Sequence, residues 1–199
     1  MVGYYWARFE CKGGNFFRFD TRVYLNDRHY PQNGDQCIGA VVGKNPGAAL
    51  PSNLSSTALQ EVVLDNDQLL PTIRSVFNKA YKLSNKTIAK DSYIQVLNLM
   101  YVCDKVLSQA IQKVEEYPTI ITCDTEKKEF SFLWYVWGGD NTKINRYKSR
   151  FANLKTNHHF YLDHKRNVVI SNPPGLSDHA RHTQGLKHDL IVPYISGLL

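Results

Sequence analysis

From Cys37 onward, short apolar runs alternate with amphipathic stretches, and this alternation limits the possible folds more than any other feature of the chain. "CIGAVVG" and "SYIQVLNLM" have the length and composition of strands buried on both faces. "TIITCD", "EFSFLWYVWGG", "HHFYLDH" and "NVVISNPPG" read as further strands. "NLSSTALQEVVLDNDQLLPTIRSVFNKAYKL" reads as helical in two parts, with Pro71 in the first turn of the second part. Ile73, Val76, Phe77 and Ala80 then share one face. "DKVLSQAIQKVEEY" places Val106, Leu107, Ala110, Ile111 and Val114 at helical spacing and stops at Pro118. A helix is expected over 141 to 155, and the C-terminal segment from Asp178 reads as partly helical. The pattern predicts an α/β fold of three layers, α/β/α, around a mainly parallel central sheet. Lys12-Gly13-Gly14-Asn15 between two aromatic runs predicts a β-hairpin within residues 1–30, set on one edge of that sheet. At 199 residues the chain is expected to form one domain.

Composition excludes several classes. A hydrophobic fraction of 43% and an aromatic fraction of 12% suit a packed core and argue against disorder. No apolar run approaches the roughly 20 residues that span a bilayer. The start "MVGYYWARFE" lacks a basic flank followed by an apolar stretch, so no signal peptide and a cytoplasmic location are expected. The four cysteines (Cys11, Cys37, Cys103, Cys123) are widely spaced and read as buried reduced thiols rather than metal ligands. The net charge of +6 permits a polyanionic partner. Lys143, Arg146, Lys148, Arg150 and Lys155 fall in a stretch without an acid, which reads either as a solvated helix face or as a phosphate-facing surface.

Open parallel sheets bind ligands beyond the carboxyl ends of their strands. Four expected strands end in polar or glycine-rich turns: Gly43-Lys44-Asn45-Pro46-Gly47, Asn98, Gly138-Gly139-Asp140-Asn141, and Ser171-Asn172-Pro173-Pro174-Gly175-Leu176-Ser177. Together these segments resemble the uracil-DNA glycosylase superfamily. "GKNPGAALPS" is similar to the first motif of its mismatch-specific thymine/uracil branch, and "SNPPGLS" to that branch's late motif. "VLNLMYV" resembles the segment carrying the base-reading asparagine of the classical uracil branch, and "FLWYVWGG" its apolar strand ending in W-G. The resemblance covers residues 37–185 and leaves the hairpin outside it.

The resemblance implies a monofunctional DNA glycosylase that flips a base from the duplex and hydrolyses its N-glycosidic bond, with no cofactor and no metal. It implies that Asn45 orients the attacking water and that Asn172 offers a neutral hydrogen bond near the pyrimidine. Gly43, Lys44, Pro46 and Gly47 would line the substrate pocket, with Asn98 reading the polar edge of the base. Gly175, Leu176 and Ser177 would form the loop that enters DNA, Leu176 as the apolar wedge. Arg146, Lys148 and His179 would meet phosphate. Phe77, or Tyr4, Tyr5 and Trp6, would stack on the base. The expected partner is duplex DNA, met by a monomer away from membranes.

Three departures stand out: Lys44 fills a position that is apolar or an amide in related motifs, position 45 lacks the classical aspartate, and Pro174 replaces a serine. The amide at 45, the small residues of "PGAALPS" and the aromatic hairpin favour a bulky modified pyrimidine, such as the hydroxymethylated or glucosylated cytosine of phage DNA, and hence antiviral defence. The rival expectations are uracil or mismatch repair, an enzyme of free nucleotides, and a nucleic-acid-binding protein without turnover. The spacing of His179, His182 and His188, without nearby carboxylates, suits solvent or phosphate better than a metal.

Overall fold

The computed structural model describes residues 3–50, 53, 56–64, 67–139 and 141–199. Pro51, Ser52, Leu54, Ser55, Asp65, Asn66 and Asp140, which belong to the turns and helices expected above, lie outside the described residues. In chain order the elements are β1 (Tyr5–Lys12), β2 (Asn15–Tyr24), β3 (Cys37–Gly43), β4 (Leu59–Glu61), α1 (Leu69–Ser84), β5 (Tyr93–Asn98) and α2 (Leu107–Glu115). After these come β6 (Phe130–Tyr135), α3 (Asn145–Ala152), β7 (Thr156–Leu162), β8 (Val169–Ile170) and α4 (His188–Leu198).

The strands form one sheet in the order β4-β1-β2-β5-β3-β6-β7-β8. Only β5/β3, β3/β6 and β6/β7 are parallel; β4/β1, β1/β2, β2/β5 and β7/β8 are antiparallel. The sheet is therefore mixed rather than mainly parallel. The connections explain it. Gly13 and Gly14 join β1 to β2 with φ of 55° and 78°, the left-handed region that a two-residue turn needs and glycine enters freely. A short turn after Asp163 joins β7 to β8, with Asp163 Oδ1 accepting from the Lys165 and Arg166 amides. Neither connection is long enough for the crossover that parallel neighbours require. Because β2 pairs with β5, the first two strands are part of the sheet.

Alternation along the strands sends side chains into two cores. Val41, Ile94, Val96, Phe132 and Trp134 face one core together with Ile73, Val76, Phe77 and Ala80 of α1 and Ile191 and Ile195 of α4. Ala40, Val42, Leu97, Leu133 and Tyr135 face the other with Ala110, Ile111 and Val114 of α2 and Tyr147 and Phe151 of α3. Each such buried side chain contributes about 1.5–3 kcal/mol. Helix α1 ends on Asn85 at φ 55°, a left-handed cap whose amide returns to Lys82 and Tyr81 carbonyls.

The structure corrects three local expectations. The first part of "NLSSTALQEVVL" contains β4, where Trp6 pairs with Glu61 and Gln60 Nε2 donates to the Asn53 and Ser56 carbonyls. "TIITCD" is irregular and leads into a 3-10 turn at Asp124–Lys127. Glu126 caps that turn through the Cys123 amide, so a side chain rather than a neighbouring strand satisfies the backbone there. Cys103 and Cys123 are buried free thiols, but Cys11 is exposed. No helix among the described residues is long and apolar enough to cross a membrane.

Close packing across the parallel strands yields one stability prediction. A Cβ on Gly39 would lie 2.3 Å from the Phe132 ring. Gly39→Ala is expected to lower stability by about 1–3 kcal/mol, the usual cost of overpacking a filled core. Chemical denaturation of the variant, alone and with Phe132→Leu, measures this; partial recovery in the double variant is the expected result.

Candidate functional site

The parallel strands β5, β3, β6 and β7 are neighbours, and their carboxyl ends open on the same side. Gly43 and Asn98 are paired across β3 and β5 at that rim. The pairing continues past both strands, with Leu99 N donating to Gly43 O and Met100 N to Lys44 O, each at 3.0 Å. The two turns are thus fixed to each other by backbone. Asn98 is 0% exposed, and neither its amide nitrogen nor its amide oxygen has a hydrogen-bond partner. A Cβ on Gly43 would stand 3.0 Å from Asn98 Oδ1, so only a glycine lets the two turns close this tightly around the amide. Arg150 Nη2 donates to the Asn98 carbonyl at 2.8 Å, holding the main chain in place while the side chain stays unengaged. Burying an unpaired amide costs about 1–3 kcal/mol, which makes Asn98 expensive as a purely structural residue.

Asn45 follows two residues after Gly43. Its Nδ2 donates to Pro46 O at 2.9 Å and to Asp104 O at 2.6 Å. Those two bonds fix which way the amide points and leave Oδ1 as an acceptor without a partner among the described residues. Asp104 anchors the loop that supplies the second carbonyl: its carboxylate accepts from Lys113 Nζ at 2.7 Å and from the Val106 amide at 2.8 Å. Burial pushes the Asp104 carboxyl up, but the Lys113 and Val106 bonds outweigh it and hold the group below the usual carboxylate range.

Beside this pair lies a polar cluster that the sequence did not reveal. Arg18 is 0% exposed, and none of its guanidinium nitrogens makes a hydrogen bond; Asp67 Oδ2 stands 3.5 Å from Nη1. Arg18 lies between Phe17 and Phe19, which point to the opposite core, so strand alternation turns it toward the face shared with Val41 and α1.

A further cleft of about 390 Å³ opens next to Lys44, lined by Lys44, Gly138, Gly139, His164, His179, Arg181, His182 and Gln184. The segment around His179 lies along the ends of β6 and β7: Gly138 N donates to Ala180 O at 2.8 Å and His164 N to His179 O at 3.0 Å. Burial, and then repulsion from Lys148, lower the Lys44 pKa. Burial, then His164 and Lys44, lowers that of His179, and burial, then Lys44, lowers that of His182.

No family model, curated protein or solved structure matches this chain.

Its geometry alone therefore decides which expected residues converge. Gly43, Lys44, Asn45, Pro46 and Asn98 gather at the rim, and His179 faces the adjoining cleft. Gly47 is close by in sequence, but a Cβ there would meet nothing within 4 Å. Asn172 does not join them: it is exposed and follows β8, which runs antiparallel to β7 and so leads away from the rim. Phe77 is wholly buried, stacked on Phe132 with ring centroids 5.6 Å apart, and is core rather than a platform for a base. Tyr4, Tyr5 and Trp6 lie at the opposite end of the sheet, since Tyr5 pairs with Val23 and Val23 with Ile94 at the start of β5. His188 contacts Lys79 on α1, away from the His164–His179 stack, so the histidines expected at 179, 182 and 188 do not form one group. Among the described residues no three His, Cys, Asp or Glu side chains are placed to hold a metal ion.

The late loop and the basic segment meet in an unexpected way. Lys148 is 2% exposed; its Nζ donates to the Leu176 carbonyl and lies 5.8 Å from the Trp137 ring centroid. It is an internal anchor for the loop rather than a surface contact for phosphate. Asp178 Oδ2 accepts from the Gly175 amide at 2.8 Å and from Tyr161 OH at 2.9 Å. These bonds hold the backbone of the loop while Leu176 stays 51% exposed and Ser177 faces solvent. Arg146 is exposed, stacked on Tyr147. Arg150 is spent on Glu126 and on the Asn98 carbonyl. The two basic residues should then behave differently. In a complex with DNA, Arg146→Ala would reduce the salt dependence of binding by about one unit of slope. Lys148→Met is expected to leave the slope alone and to raise proteolysis at the 171–178 loop; binding at several salt concentrations and limited proteolysis measure both.

Proposed function

We propose that this chain is a monofunctional DNA glycosylase of the uracil-DNA glycosylase type, hydrolysing the N-glycosidic bond of a pyrimidine flipped out of duplex DNA. The observation that carries the reading is Asn98: a buried amide with both polar atoms unpaired, beside a glycine, at the carboxyl ends of parallel strands. An amide presents one donor and one acceptor, the complement of a pyrimidine's polar edge. Asn45 supports the same reading, because its Nδ2 is tied to two carbonyls and its Oδ1 is left to accept from a water.

In the proposed reaction the bond between C1′ and the base nitrogen breaks, and its electron pair leaves with the base. Asn45 Oδ1 orients the water whose oxygen bonds to C1′, and the water's proton passes to solvent. Asn98 Nδ2 donates to the pyrimidine oxygen on which negative charge grows. An amide is no base, so the rate enhancement comes from positioning and from stabilising the departing base. Leu176, exposed on a backbone held by Lys148 and Asp178, would wedge the duplex open. The two cores on opposite faces of the sheet support the three-layer architecture that this reading implies.

The amide at position 45 is one ground for a bulky modified base. Ala49 of the small-residue turn is buried in the core, and Tyr5 and Trp6 of β1 are at the far end of the sheet. The exposed Asn172 favours one alternative, a nucleic-acid-binding protein without turnover, since a second group expected at the base is missing from the rim. One assay separates the readings. Duplexes carrying uracil, mismatched thymine, or hydroxymethylated or glucosylated cytosine are incubated with the protein and cleaved with alkali, beside the corresponding free nucleosides. Strand breaks in DNA without nucleoside cleavage support the glycosylase; binding without breaks supports the alternative. Activity confined to the modified cytosines would support a role against phage DNA.

A further inference from the structure

The cleft beside Lys44 holds an unbalanced set of cations. Lys44 Nζ would lie 3.3 Å from a Cβ on Gly138, whose φ of 84° and missing side chain admit the lysine to the space between the β6 end and His182. It forms no ion pair among the described residues. The His164 and His179 rings stack with centroids 4.1 Å apart, and the His179 ring passes 3.1 Å from where a Cβ on Gly139 would be. Arg181 adds a guanidinium held by the His164 carbonyl at 3.0 Å and Asn167 Oδ1 at 2.9 Å. No carboxylate lines the cleft. The two acids that act on its histidines are committed elsewhere, Asp163 to the Lys165 and Arg166 amides and Asp67 to the Leu69 amide and the Arg18 guanidinium.

We propose that this cleft binds one phosphate ester group, with protons taken up by His179 and His182 on binding. Four segments meet to form it: the ends of β3, β6 and β7 and the 179–184 stretch. A surface that gathers lysine, arginine and imidazole donors around two glycines suits a small, multiply accepting anion better than a neutral ligand. The groups that set its electrostatics are Lys44 beyond β3, Lys148 on α3, Asp163 and His164 after β7, His179, Arg181 and His182 across the strand ends, and Asp67 before α1. Positive charges outnumber the two acids, so protonation of His179 and His182 is disfavoured in the free protein and favoured once an anion is present. Affinity therefore rises as pH falls, the sign expected when the ligand supplies the missing negative charge.

The cleft adjoins the proposed base pocket but stands on its own residues, so its test uses ligands without a base. The first probe is a short oligomer of abasic tetrahydrofuran residues, whose phosphodiesters keep a constant charge; the second is 2-deoxyribose 5-phosphate, a monoester. Calorimetry from about pH 5.5 to 8 is expected to show binding that strengthens about tenfold or more on acidification. Lys44→Met is expected to weaken binding about tenfold with the melting temperature retained. His182→Gln is expected to flatten the pH dependence. Tighter binding of the oligomer would assign the site to a nucleic-acid strand, and tighter binding of the monoester to a free nucleotide; either supports the phosphate site. Failure of both probes to bind, or binding indifferent to pH and to Lys44, would overturn it. Binding without any base release in the glycosylase assay would uphold the phosphate site and reject the hydrolysis reading.

Discussion

Asn98→Leu is expected to abolish base release while leaving the protein as stable as before, or more stable. The argument follows from the position of the amide. Both of its polar atoms are buried without partners, a state that costs about 1–3 kcal/mol on folding. Leucine keeps the branched outline of the side chain, is somewhat larger, and buries apolar surface instead, which removes that cost. Gly43, with no side chain, leaves room for the change. In a chain of 199 residues each 1 kcal/mol shifts the melting temperature by about 2–4 °C. On the proposed mechanism single-turnover base release should fall about 100-fold or more, because the donor and acceptor offered to the pyrimidine would be gone. A lower melting temperature with activity retained would instead make Asn98 a structural residue.

Asn45→Ala carries the second large effect. Loss of an oriented water is expected to slow base release about 100-fold or more while DNA affinity stays within a few-fold of the parent. Asn45→Asp provides a sharper control. It restores an acceptor, but its second oxygen would face the Pro46 and Asp104 carbonyls, where Nδ2 now donates at 2.9 Å and 2.6 Å. Three oxygens would then crowd one point, so aspartate is expected to lose both activity and stability at neutral pH. Comparing single-turnover rates and melting curves of the two variants measures this. An aspartate variant more active than the parent would reject the amide as the water-orienting group.

The sequence made the centre of the sheet legible because β3 and β5 are apolar but for Gln95 and end in residues that stop a strand, Gly43 and Asn98. The face of α1 followed from its spacing, and Gly13-Gly14 marked the turn between β1 and β2. What it hid depended on contacts distant in sequence. The segment around Leu59 becomes a strand because β1 offers an unpaired edge. A parallel β8 would bring Asn172 to the rim, yet Asp163 and Asn167, with φ of 55° at Asn167, mark a tight reversal. The charge of Lys148 suggests a surface residue, although it lies four residues after Ile144 and three before Phe151, on the buried stripe of α3. That spacing was the available signal. Arg18 offered none, since a charged residue between two phenylalanines in a strand ordinarily faces water.

The claim that this chain hydrolyses N-glycosidic bonds in DNA is tested most directly by measuring free base and abasic sites together in one reaction. Mass spectrometry of the released base and aldehyde-reactive labelling of the strand give the two amounts for the parent and for Asn45→Ala on the same panel of duplexes. The account predicts equal amounts of free pyrimidine and abasic site from at least one duplex with the parent protein, and at least about 100-fold slower formation of both with the variant. No free base from any duplex, or equal rates for the two proteins, would contradict it.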